Sequence, residues 1–242
     1  MDIGDVISDS LRYPTSDWSK LVIVGVLFLI SFLIIPLFLV SGYMFRVIKA
    51  SLAGVEELPV FEEWVEMLLD GIKLFLVYII YSLPAIIIAI ISFLSLWSSL
   101  TSLTYITQAN GTTVTPDMFF ALFGGTALIG LIIAGLYTLV IYPIMAVAIG
   151  NMAYYNGEFS TAFRFNEILS IISQIGWVDL IIWYIVLIMV GIVIGFLVSI
   201  IAIIPILGWI FLIFIVYPYF YLFYARAVAW LYSSAFAEEY VP

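Results

Sequence analysis

Five runs of residues, 21–45, 74–97, 125–149, 180–204 and 206–225, contain no Asp, Glu, Lys or Arg. A helix of about 20 such residues matches the roughly 30 Å hydrocarbon core of a bilayer. A water-soluble domain of about 45–50% apolar residues cannot hide this much apolar surface, and here 66% of the chain is hydrophobic and 10% charged. The expected fold is therefore all-α: a polytopic integral membrane protein with five transmembrane helices, forming a single membrane domain over residues 1–242.

The charged residues fall in the gaps between these runs, and the gaps read as loops. The chain has no cysteine and no histidine, which removes thiolate chemistry and the commonest general base and metal ligand. A net charge of −9 speaks against nucleic acid and against a polybasic lipid contact. The first 20 residues lack a basic n-region and a small-residue cleavage site, so no removable signal peptide is expected.

Sidedness follows from lysine and arginine, which collect in cytoplasmic loops. If each run crosses once, Arg46, Lys49, Lys73, Arg164 and Arg226 share the cytoplasmic face with the C-terminus. The N-terminus then lies outside with Arg12 and Lys20. The loop 98–117 has no basic residue and also falls outside, which makes Asn110, in Asn110-Gly111-Thr112, a possible glycosylation site. A rival reading folds 21–45 into a membrane-dipping hairpin and brings all seven basic residues inside. The single crossing is favoured over it, because the segment has no polar turn and reversal in hydrocarbon leaves backbone groups unpaired.

Part of the chain recurs. Pro36, Phe38, Ser51, Ala53, Glu56 and Glu57 return 182 positions later as Pro218, Phe220, Ser233, Ala235, Glu238 and Glu239. Together with Pro84 and Pro143, Pro36 and Pro218 predict kinks within the spans, since proline deletes a helical hydrogen bond. Gly191 and Gly195 form a GxxxG pair suited to close helix approach.

Between the spans, two amphipathic helices are expected on the cytoplasmic face, over about 59–73 and 159–175. In the first, Phe61, Trp64, Val65, Leu68, Leu69 and Ile72 recur at helical spacing, and Glu62, Glu63, Glu66 and Asp70 take the other side. Pro59 is placed to begin it. The acidic face reads as a partner-binding surface ahead of a metal site, and no metal or cofactor is expected. In the second, Phe163, Ile168, Ile171, Ile172 and Ile175 form the apolar side. Arg46, Lys49 and Arg226, at span edges, are possible lipid headgroup contacts.

The run Gly42, Tyr43, Arg46, Gly54, Leu58, Pro59, Phe61, Trp64, Leu68, Asp70, Gly71 and Lys73, with the upstream LRYPTSDW at 11–18, resembles an archaeal family of uncharacterised polytopic membrane proteins known only as a domain of unknown function. Glu63 stands where that family often has aspartate before the tryptophan. The resemblance implies an archaeal cytoplasmic membrane protein and brings no substrate, cofactor or catalytic residue.

The span interiors hold no ionisable group of the kind that marks carriers and pumps. They do hold tyrosines: Tyr78, Tyr81, Tyr137, Tyr142, Tyr184, Tyr217, Tyr219, Tyr221 and Tyr224. The leading expectation is a non-enzymatic membrane scaffold or assembly subunit, oligomeric or part of a membrane complex, surrounded by membrane lipids and presenting the acidic helix to a protein partner. The alternative is a permease or lipid transporter with a tyrosine-lined path between proline-kinked helices.

Overall fold

A computed structural model of the protein describes residues 3–111, 113, 115–118 and 126–236, and the regular elements among them are all helical. In chain order they are α1 (Ile3–Arg12), α2 (Trp18–Leu29), α3 (Ile35–Leu52), α4 (Trp64–Asn110), α5 (Thr126–Tyr154), α6 (Phe165–Ile175), α7 (Trp177–Ile201), α8 (Leu207–Phe211) and α9 (Tyr217–Ser233). Short 3₁₀ turns at Tyr13–Thr15, Ser31–Leu33 and Phe159–Phe163 and a π turn at Leu212–Val216 join some of them. Among the described residues, five helical stretches are long and apolar enough to cross a membrane: Ile35–Leu52, Trp64–Asn110, Ala127–Tyr154, Trp177–Ile201 and Leu207–Phe236.

The first of the five is not the expected 21–45. That segment is broken: α2 ends at Leu29, the chain turns through Ser31–Leu33, and Ile34 takes φ 66° and ψ −55° before α3 begins. Pro36 forces the break, because its ring excludes the carbonyl four residues back and it has no N–H to offer. It sits in the first turn of α3, where a missing N–H costs nothing, so it starts a helix instead of kinking one. The objection to a reversal in hydrocarbon was unpaired backbone, and the turn answers it locally. Ile30 N–H bonds Val26 O, Leu33 N–H bonds Ile30 O, Ile34 N–H bonds Ser31 O, and the Ser31 hydroxyl donates to Leu27 O.

Two contacts close the hairpin at its base. Lys20 Nζ donates to Leu58 O at 2.6 Å, and Leu58 N–H donates to Ser16 Oγ at 3.3 Å. The start of α2 therefore lies beside the residues that follow α3. At the far end Phe32, Leu33, Ile34 and Ile35 form an exposed apolar tip. A second tip, between α7 and α8, has the same device: Ile206 takes φ 63° and ψ −63°, closed by Leu207 N–H on Pro205 O at 2.7 Å. Both isoleucines adopt the γ-turn geometry, which is rare and strained for a β-branched residue.

The expected separate helix at 59–73 is also absent. Residues 53–63 are irregular, Glu63 has φ 49°, and the helix begins at Trp64 and runs straight into the span. The face it packs is Met67, Asp70, Gly71, Leu74 and Val77, while Trp64, Val65 and Leu69 are exposed. Glycine decides this. A Cβ on Gly71 would overlap Phe38 O, and one on Gly42 would overlap Met67 O, so α3 and α4 cross backbone to backbone at this pair. The expected GxxxG glycines are not used in this way: Gly191 meets only the Phe220 ring at 3.9 Å, and Gly195 meets nothing.

The second amphipathic segment is helical from Phe165, and Ile168, Ile171, Ile172 and Ile175 are buried as expected. Pro84 and Pro143 lie inside α4 and α5. Pro218 sits in the first turn of α9 and cannot bond Phe214 O, and the preceding turn widens to π spacing, with Tyr217 N–H on Leu212 O. There Gly25 of α2 comes so close that a Cβ would stand 2.7 Å from Phe214 Cα.

The chain forms two compact units, Met1–Val77 with Pro143–Pro242, and Tyr78–Tyr142. In the second, α4 and α5 run antiparallel. The Tyr137 hydroxyl donates to Tyr81 O at 3.0 Å, in the turn that Pro84 disturbs, and Gly130 leaves room for the Ser92 hydroxyl. Residues 119–125 lie outside the described residues, as do Thr112, Glu238 and Glu239.

Two outcomes follow for detergent-purified protein. Gly71→Ala lowers thermal stability by about 1–3 kcal/mol or more, the range for overpacking a close contact. Ile34→Gly, at an exposed position, raises the melting temperature; in an unbroken helix the same change would lower it by about 1 kcal/mol.

Candidate functional site

The polar residues of the first unit converge on the irregular segment 53–63. Such a segment exposes carbonyls that no helix satisfies, and each buried one left unpaired costs about 1–3 kcal/mol. Side chains from three helices and one turn meet this need. Arg226 of α9 donates to Val55 O at 3.0 Å, and Tyr13 donates to Glu57 O at 3.0 Å. Lys20 of α2 takes Leu58 O, and the Tyr43 hydroxyl of α3 takes Pro59 O at 2.9 Å. Arg46 of α3 spreads its guanidinium over the carbonyls of Val60, Glu62 and Glu63. Leu58 is the apolar anchor, 2% exposed, and Phe61 stacks on Tyr43 with centroids 4.1 Å apart.

Arg226 is itself buried. Its Nε lies 2.7 Å from Asp9 Oδ2, and its guanidinium stacks over the Tyr13 ring at 4.6 Å. Trp230 Nε1 donates to the same Asp9 oxygen. Burial pushes the Asp9 carboxyl up, but the hydrogen bonds from Arg226 and Trp230 and the charges of Arg226 and Arg12 outweigh it, so the group sits below its ordinary value. These contacts join α1 to α9, more than 200 positions apart in the chain.

A second cluster ties α3, α4 and the end of α5. Asp70 is 9% exposed and lies between Lys49, at 3.0 Å, and Lys73, at 3.2 Å. Lys73 also donates to Gly157 O at 3.0 Å. Beneath it Asn151, fully buried, donates to Thr161 O and accepts from the Tyr232 hydroxyl.

The expected site residues therefore divide. Glu62, Glu63 and Glu66 are exposed, whereas Asp70 is turned inward and leaves the acidic face. Arg46, Lys49 and Arg226, read as headgroup contacts, are committed to backbone carbonyls and carboxylates. Asn110 is the exposed last residue of α4. Several tyrosine hydroxyls are consumed inside their own units: Tyr137 on Tyr81 O, Tyr219 on Leu11 O, Tyr221 beside Ser41. Tyr13, Ser16 and Lys20 were not expected to act here. Their signal lay in the LRYPTSDW stretch, which carries two of them. Among the described residues no three acidic side chains gather to hold a metal ion.

The pattern defines a class of protein: among the described residues, a helical chain with five helices long and apolar enough to span a membrane and a polar head built around one irregular loop. The chain belongs to the DUF4013 family, described as a protein of unknown function, whose model matches residues 23–203. No curated protein and no solved structure matches it.

The Asp9–Arg226 pair has a pH signature. A carboxylate held below its ordinary value contributes stability above that value, near 3.8, and loses it as pH falls through the lower native value. Acid denaturation of the wild-type protein should steepen below about pH 4, and Asp9→Asn should flatten that limb and lower stability at pH 7. Tyr43→Phe, which orphans Pro59 O, should cost about 1–2 kcal/mol in thermal or chemical melts.

Proposed function

We propose that the protein is a non-enzymatic scaffold or assembly subunit of the cytoplasmic membrane, self-associating or part of a larger complex, and that its partner docks on the surface around the start of α4. The observation that carries this reading is an exposed mixed patch on a rigid base. Trp64, Val65 and Leu69 are 46%, 71% and 51% exposed, and Glu62, Glu63 and Glu66 stand beside them. Exposed aromatic and aliphatic groups rimmed by charge are the usual composition of a docking surface. The loop that presents them is fixed by hydrogen bonds to its backbone, so little ordering entropy is lost on binding.

The same reading places the polar head in the cytoplasm, since the α2–α3 hairpin brings Arg12 and Lys20 to the end that holds the other five basic residues. Four stretches then cross the bilayer, and the hairpin dips into it. The other function, a permease with a tyrosine-lined path, gains nothing from hydroxyls already bonded to backbone.

Two experiments test this reading. Co-purification of the full chain from its native membrane should yield a stoichiometric partner that Glu62→Lys/Glu66→Lys or Trp64→Ala/Leu69→Ala weakens about tenfold, roughly 1.4 kcal/mol, with the melting temperature unchanged. Unaltered companions in both variants overturn the docking surface. Because the chain has no cysteine, single cysteines report sidedness directly. Ser8→Cys and Ser160→Cys should react with an impermeant reagent from one side, and Ser102→Cys from the other.

A further inference from the structure

Seven basic residues serve the chain, and among the described residues six are ion-paired: Lys20, Arg46, Lys49, Lys73, Arg164 and Arg226. Arg12 is not, and it is exposed at the end of α1. It also borders a cleft of the first unit, about 600 Å³, between α1, α7 and α9. That volume lies within the roughly 300–1,000 Å³ of small-molecule sites.

We propose that this cleft binds one anionic phospholipid, with its phosphate on Arg12 and an acyl chain along the apolar wall. The wall is built by helical spacing. Ile3, Ile7 and Leu11, four residues apart, form one stripe of α1 and line the cleft, while Val6 and Ser10 turn the other way and are buried. Val186 of α7 completes it, nine residues into a span and so about 14 Å along its axis. The Tyr219 hydroxyl holds Leu11 O, which fixes α1 against α9.

Ser8 shares the cleft with Arg12, whereas the Thr15 hydroxyl beside them is already donated to Arg12 O at 2.8 Å. A guanidinium fork and a neighbouring hydroxyl are donors a phosphate takes. Asp9, one turn back on α1, gives its hydrogen bonds to Arg226 and Trp230 and meets Arg12 only through space, which leaves the Arg12 fork open. The site thus replaces the headgroup contacts expected at Arg46, Lys49 and Arg226, all of which have protein partners.

Native mass spectrometry of the full chain in a non-ionic detergent, offered phosphatidylglycerol and phosphatidylcholine equally, should show about tenfold preference for phosphatidylglycerol, a charge-assisted gain. Arg12→Gln should bring the ratio near one and Arg12→Lys should keep part of it. Val186→Trp should reduce retention of both lipids, and Arg164→Gln, an exposed arginine elsewhere, should change nothing. Millimolar glycerol phosphate should not displace the lipid. Equal retention by wild type, an unchanged ratio in Arg12→Gln, an equal loss in Arg164→Gln, or displacement by glycerol phosphate would each overturn the proposal. If Arg12→Gln does not fold by its melting curve, Arg12→Lys and Val186→Trp decide it.

Discussion

The rest of the polar head depends on one requirement: the carbonyls of residues 53–63 must find donors. A loop between two helices normally turns to water for this. Here side chains from the 13–15 turn, α2, α3 and α9 supply the donors, so segments far apart in sequence are fastened to one strip of backbone. The consequence for electrostatics is that the scarce cations are structural. Arg46, Lys20 and Arg226 each bond a carbonyl as well as pairing with a carboxylate. A chain of net charge −9 thereby commits three of its seven cations to its own backbone and carboxylates.

Inside the apolar region the same accounting governs glycine and proline. Pro36 and Pro218 each remove a backbone donor, and the fold answers by starting a helix at one and widening a turn at the other. Gly42, Gly71 and Gly25 lie where two backbones touch. The hydroxyls of Ser41, Ser92, Ser99 and Thr138 are satisfied by the carbonyl four residues back, so these four need no partner across an interface. The recurrence of residues 36–57 at 218–239 has a structural counterpart: α3 and α9 both begin at the proline and pack against one another.

Helix content and the apolar stretches were legible in the sequence, because absence of charge over 20 residues has one cheap explanation. The buried isoleucines of α6 were legible for a similar reason: a 3.6 period with one apolar side. The hairpin at 30–34 was not, since its turn uses isoleucine and leucine where turn chemistry is normally read from glycine, asparagine or proline. Nor was the face of α4. Trp64, Val65 and Leu69 outweigh Met67 and Gly71 on any hydrophobic scale, yet close approach at a glycine pair is decided by shape. Asp70 looked like one more acid on an acidic face. Its role depends on Lys49, 21 residues away, and no spacing rule reports that.

The pairing of Asp9 with Arg226 links residues 217 positions apart. At about 5–20 residues per second of translation, the N-terminal helix waits roughly 10–40 s for its partner to leave the ribosome. During that interval Val55 O lacks its donor and Asp9 its counterion, while Tyr13, Lys20 and Tyr43 can already engage the loop. The head is thus assembled in stages, and the last helix to be made is the one that locks it.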